Sequence, residues 1–140
     1  MFNQLLNRVG LGTKQPTLPP DEVTTAVSPI IDVTDDTFAE VVLAAAQPVV
    51  VDFWAEWCQP CQIMSAYMNF LANDFGEQIV LVAMDVDENP EAPSQYDIMG
   101  LPTLLIFDKG KVVDRIVGVE PYETIRDRVV STIRQKEVDR

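Results

Sequence analysis

The chain has 140 residues, enough for one domain with room for a terminal extension, and its composition, 47% hydrophobic and 23% charged, is ordinary for a soluble globular protein. No apolar run approaches the ~20 residues needed to cross a bilayer, and with two cysteines and no histidine neither a tetrahedral zinc site nor a histidine-based triad can be built. The net charge of −12 is unevenly spread: from Gln15 to Asp108 there are sixteen acidic residues and no lysine or arginine, which excludes a nucleic-acid partner, since nothing there could neutralise phosphates.

In chain order, Phe2, Leu5, Leu6 and Val9 fall at i, i+3, i+4 and i+7, one face of a short helix ended by Gly10 and Gly12. A helix this short is not stable alone, so its apolar face needs a surface: the domain itself, a partner protein or a membrane interface. Lys14 to Pro29, with Pro16, Pro19 and Pro20, reads as an extended linker. Residues 1–28 are therefore an N-terminal extension and 29–140 the domain. Met1 to Lys14 has no continuous apolar core and no small-residue cleavage site, which makes it a poor secretory signal; a cytoplasmic location is expected, and a membrane partner is not.

Ile30–Val33 predicts a short strand, after which Thr34 caps a helix with Asp35 and Asp36 in its first turn and Phe38, Val41, Val42 and Ala45 on its apolar face. Pro48 stops that helix. Val49–Trp54 follows as a continuous apolar strand, the sign of burial on both faces. A helix from about Gln59 to Phe75 carries Ile63, Met64, Tyr67, Met68, Phe70 and Leu71 and ends near Gly76. Ile79–Met84 is another apolar strand, and Asp85–Tyr96 an acidic turn region with a short helix broken by Pro90 and Pro93. Thr103–Phe107 and Val112–Val117 pair antiparallel about Asp108-Lys109-Gly110. A last helix opens at Pro121 and runs to about Gln135, with Ile125, Val129, Val130 and Ile133 facing the core. The order predicts an α/β domain, a central mixed sheet of about five strands flanked by helices on both faces.

The chemistry lies at the corner where the Val49–Trp54 strand feeds the next helix, for both cysteines, Cys58 and Cys61, sit there with two residues between them. Such a pair can close a small disulfide ring. Unsatisfied N–H groups at a helix start favour a thiolate, the attacking species in disulfide exchange. A structural disulfide over so small a loop would stabilise little, so the value of the pair is chemical.

Asp52-Phe53-Trp54-Ala55-Glu56-Trp57-Cys58-Gln59-Pro60-Cys61, with Gly100-Leu101-Pro102-Thr103 downstream, closely resembles the thioredoxin family over about residues 30 to 135. The resemblance implies the thioredoxin fold and a set of roles. Cys58 would be the nucleophile and the more exposed sulfur, and Cys61 the buried resolving thiol. Asp52, desolvated on its strand, would have a raised pKa and take the proton of Cys61. Pro102 would be cis, with the backbone at Leu101 open to an extended substrate strand. Trp57, Gln59, Pro60, Leu101, Pro102, Gly118 and Val119 would form the substrate-binding surface, while Trp54 packs against the helix.

The chain departs from the family pattern at five places. Gln59 stands for the usual Gly, Gln62 for the basic residue after the second cysteine, and Ala83 for a buried Lys. Met99 and residues 1–28 also fall outside it. Loss of positive charge predicts a less acidic Cys58 thiol than is usual in the family. The resemblance implies a protein-disulfide reductase with no cofactor and no metal, acting as a monomer on disulfide-containing substrate proteins and reset by a thioredoxin-reductase-type electron donor. The alternatives are an oxidant or isomerase on the same fold, a binding or scaffold module using the N-terminal extension, and a dimer sharing an iron–sulfur cluster.

Overall fold

The computed structural model describes residues 28–138. The helix expected over residues 1–10 and nearly all of the linker lie outside the described residues.

Five strands make one sheet: β1 (Ile30–Asp32), β2 (Val49–Trp54), β3 (Val80–Asp85), β4 (Thr103–Asp108) and β5 (Lys111–Val117), side by side in the order β1-β3-β2-β4-β5. β1 and β2 run parallel to β3, β4 is antiparallel to β2, and β5 is antiparallel to β4. The helices are α1 (Pro60–Phe75), α2 (Glu91–Gln95) and α3 (Tyr122–Val138), with a π-helical turn at Ala39–Leu43 and a 3-10 turn at Gly76–Gln78. This is the expected α/β arrangement, with boundaries displaced by a residue or a few.

Successive side chains of a strand point to opposite faces, and both faces of this sheet are covered. On one, Val50, Leu81, Leu104 and Ile106 pack against Met64, Met68 and Leu71 of α1 and Ile125 and Val129 of α3. On the other, Val49, Val51, Phe53, Val82, Leu105 and Phe107 meet Phe38, Val42 and Ala92. β2 lies between β3 and β4 and feeds both cores, which is why it reads as an unbroken apolar run. Asp52 comes two residues after Val50 and so shares the face that α1 covers.

The segment between β1 and β2 differs from expectation. Thr34 does accept the Thr37 N–H on its hydroxyl at 3.3 Å, but the helix is only the π-turn Ala39–Leu43. Phe38 and Val42 still reach the core, Phe38 against the rings of Tyr96 and Phe107, both at 5.8 Å. Asp35 serves another helix altogether. Its carboxylate accepts the N–H groups of Glu91 at 3.0 Å and Ala92 at 2.9 Å, at the start of α2, while its own N–H donates to Asn89 Oδ1 at 2.9 Å. At the β4–β5 hairpin Lys109 and Gly110 have φ of 53° and 82°, the left-handed pair of a two-residue hairpin turn. A Cβ at Gly110 would also press on the Leu43 carbonyl oxygen at 3.1 Å.

Asp35→Ala is expected to lower the unfolding free energy by about 1–2 kcal/mol through loss of this long-range cap. Urea unfolding would show it as a lower midpoint at unchanged slope; an unmoved midpoint would mean the cap contributes nothing.

Candidate active site

β2 ends at Trp54, and the chain then tightens through Ala55-Glu56-Trp57, with the Cys58 N–H donating to the Ala55 carbonyl at 3.2 Å. Gln59 stands at the N-cap position of α1 without a side-chain capping hydrogen bond, and Pro60 opens the helix at a position whose N–H would have no helical partner anyway. The Cys61 N–H donates back to the Cys58 carbonyl at 3.2 Å. The two cysteines are joined as a disulfide, with their Cα atoms 5.4 Å apart. With Ala55 they form a small cluster against which Trp54, Val86 and Leu101 pack. The expected contrast in exposure is absent from this oxidised form: Cys58 is 5% and Cys61 4% exposed, because Leu101 and Trp54 flank the ring as a unit.

Beside the disulfide is a cleft of about 460 Å³ that reaches Asp52, Cys58 and Cys61 together. Asp52 is 3% exposed, and its Oδ1 has no hydrogen-bond partner among the described residues. Burial alone pushes its carboxyl up from its ordinary 3.8 to about 7, since a charge there would lose its hydration. Among the described residues no basic side chain lines the cleft, whereas Asp32 and Glu56 do.

β2 and β4 pair with Phe53 opposite Thr103, so the cysteine corner and the Leu101–Pro102 segment meet at the same end of the sheet. The Leu101–Pro102 bond is cis, as expected. The Gly118 N–H donates to the Pro102 carbonyl at 2.8 Å, and the φ of 82° at Gly118 favours glycine there. Among the residues expected to bind substrate, Trp57 is 70% exposed, and Gln59, Pro60 and Val119 are also exposed. Leu101 and Gly118 are half-buried and Pro102 is buried.

Three features escaped the sequence reading. The Trp57 indole N–H donates to Asp87 Oδ2 at 2.9 Å, which fixes an otherwise free ring. Arg115 donates to the Tyr96 carbonyl at 2.6 Å and the Asp97 carbonyl at 3.4 Å, pinning the loop that carries Met99, itself 92% exposed. Gln62 and Ser65 of α1 line the cleft. Only the alternation of β2 and the helical spacing of Gln62 and Ser65 hinted at the last; the other two join residues 18 to 30 positions apart.

A cysteine pair that closes on itself next to a buried carboxyl is equipped for thiol–disulfide exchange. Among the described residues no group of three or more His, Cys, Asp or Glu could hold a metal ion. The thioredoxin family model matches residues 29–131. Thioredoxin 1 of Synechococcus elongatus is 44% identical over 93 residues, 66% of this chain and 87% of that protein. Thioredoxin 1 of a Nostoc species is 42% identical over 99 residues, 71% and 92% of the two chains. The thioredoxin of Acidithiobacillus ferridurans is 43% identical over 89 residues, 64% and 82%. The chain belongs to the thioredoxin family. It is a thiol–disulfide oxidoreductase with a redox-active cysteine pair, and the chemistry of the family needs no cofactor beyond that disulfide.

Between pH 3.8 and about 7 the folded chain keeps a proton on Asp52 that the unfolded chain has released. Stability therefore falls as pH rises across that window and levels off above it. Asp52→Asn cannot titrate, so its stability relative to the parent should improve from pH 4 to pH 8 by on the order of 2–4 kcal/mol. Urea midpoints of both proteins across that range would show it, and a pH-independent difference would place the Asp52 carboxyl in water.

Proposed function

We propose that the protein reduces disulfides of partner proteins, with Cys58 attacking, Cys61 resolving and Asp52 accepting the proton of Cys61. The observation that carries this reading is the closed Cys58–Cys61 ring opening onto the same cleft as the buried Asp52 carboxyl. In the reduced protein the Cys58 thiolate attacks one sulfur of the substrate disulfide. A mixed disulfide forms and the first substrate thiolate departs. The Cys61 proton passes to the Asp52 carboxylate, the Cys61 thiolate attacks the Cys58 sulfur, and the second substrate thiolate leaves. Two electrons have moved to the substrate, and the protein holds the Cys58–Cys61 disulfide. An acid of pKa near 7 suits this transfer at neutral pH, because it accepts and releases a proton with little driving force either way.

The direction of electron flow follows from charge. A strong oxidant is one whose reduced, thiolate form is stabilised. Here Gln59 and Gln62 bring no charge to the corner, and the cleft carries Asp32, Asp52 and Glu56, so a thiolate gains little beyond the α1 N-terminus. The reduced form is the less stable one, and the pair donates electrons. The exposed Trp57 and Val119, with Leu101 beside the ring, are the surface on which a substrate strand docks. A reductase-type donor must then restore the dithiol, and the reading implies a reducing compartment such as the cytoplasm.

Cys61→Ser should accumulate a covalent adduct with a protein disulfide substrate through Cys58, whereas Cys58→Ser should accumulate none; the reverse pattern would exchange their roles. Asp52→Asn should slow release of substrate from the mixed disulfide at least about tenfold at neutral pH. Equilibration in thiol/disulfide buffers should give a potential near about −270 mV, and a value near about −180 mV would make the protein an isomerase or oxidant instead.

A further inference from the structure

Asp32, Ala83 and Asp52 stand at one level across β1, β3 and β2: Asp32 is the Cα partner of Ala83, and Ala83 of Asp52. All three line the cleft, so their side chains share its face. Strands lie ~4.8 Å apart, so the two acidic residues flank a gap of about 10 Å between their Cα atoms, occupied only by a methyl group. Glu56 adds a third carboxylate to the lining. One oxygen of this set, Asp52 Oδ1, is buried and has no partner, in a site where an unmatched polar atom is costly. Among the described residues the other elements that line the cleft offer no cation. Leu104 is the neighbour of Asp52 on β4, α1 contributes the neutral Gln62 and Ser65, and the remaining titratable type is the cysteine pair, tied up as disulfide.

The walls narrow the class of ligand. Ile30, Trp54, Ala55 and Ala83 give the cleft an apolar lining beside its acids. A hydrated divalent ion wants six or more oxygens and gains nothing from such walls, and no metal-holding group occurs among the described residues. An ammonium on a short alkyl stem matches both parts, methylenes on the wall and the charged head among carboxylates. We infer that this cleft is a subsite for a primary alkylammonium group, with its head between Asp52 and Asp32 and its stem over Ala83. Two sources share that chemistry: a lysine side chain of a docked partner protein, and a small free amine. The consequence for turnover rests on the reductase reading above. A cation there favours the Asp52 carboxylate, so the occupied cleft holds Asp52 ready to take the proton of Cys61.

Binding itself is tested on the oxidised full-length chain without any turnover. n-Butylammonium chloride is titrated against sodium chloride at constant ionic strength while the carboxyl carbon of Asp52 is followed by NMR across pH 5–9. A ligand that binds only the ionised carboxyl lowers its titration midpoint by about one unit at ten times the dissociation constant. The expected result is a saturable fall of that kind with butylammonium and none with sodium. Asp32→Asn should weaken the effect several-fold, and Ala83→Leu, which fills the gap without charge, should abolish it. A response that does not saturate, matches sodium, or persists undiminished in both variants overturns the subsite. Acetyl-lysine-N-methylamide separates the sources: binding at least as tight as butylammonium assigns a partner lysine, and binding of the free amine alone assigns a small amine. Disulfide reduction is measured in parallel on an aliquot of the same preparation, supplied with excess dithiothreitol to form the Cys58–Cys61 dithiol. Activity without saturable binding overturns the subsite alone, and binding without activity overturns the reductase reading while the subsite stands.

Discussion

The structure depends on β2 being buried on both faces. A middle strand has its backbone groups satisfied by β3 on one side and β4 on the other, so nothing polar is required of its side chains, and five of its six residues are buried. Asp52 is the exception in kind. Its carboxyl is held almost wholly out of bulk water, in the cleft that α1 borders through Cys61, Gln62 and Ser65. The same packing holds the start of α1 at the end of β2, and the disulfide is set there. One constraint thus yields both the position of the cysteine pair and the neutral-range acid behind it.

Much of this could be read from the residues. Val-Val-Val before Asp52 and Phe-Trp after it state the burial on both sides, and the i, i+4, i+7 spacing of Met64, Met68 and Leu71 states which face of α1 is inward. The cysteine spacing and the Leu101–Pro102 segment carried the family. What could not be read were pairings between distant positions. Asp35 looks like a first-turn residue of its own helix, and local pattern cannot tell that its oxygens reach the start of α2, 56 and 57 residues on. The Trp57–Asp87 bond and the Arg115 clamp on the Met99 loop are hidden for the same reason. The resemblance implied a more exposed sulfur at Cys58 than at Cys61, but the flanking Trp54 and Leu101 leave both buried in the oxidised form.

The electrostatics of the site are set as much by where the cations are as by where the acids are. Arg128 holds Asp114 through two nitrogens, at 2.5 and 2.7 Å, and lowers the pKa of that carboxyl. Lys136 reaches Asp108 at 3.3 Å and the Ala46 carbonyl at 2.9 Å, and Arg126 lies 3.5 Å from Asp74. These bases come from α3, and their partners from the ends of α1 and β4, the middle of β5 and the segment before β2. Exposed pairs of this kind add little stability individually, but they occupy the positive charge away from the cysteine corner. What remains there to favour a thiolate is the N-terminus of α1.

A leucine at position 52 would fit the chemistry of the two cores and avoid any penalty of ionisation. The carboxyl instead makes the fold progressively less stable as pH rises toward 7, so it is explained by what it does rather than by what it holds together. Its burial sets a threshold: deeper, and the acid would stay protonated throughout the neutral range and could take no proton; more exposed, and it would be a carboxylate too weakly basic to take one from a thiol. The cleft places it between those limits, and any change in the cleft's charge moves it. In the proposed mechanism, the transfer of the Cys61 proton would be tuned from Ala83 and Asp32, two positions on neighbouring strands that take no part in the exchange of sulfur.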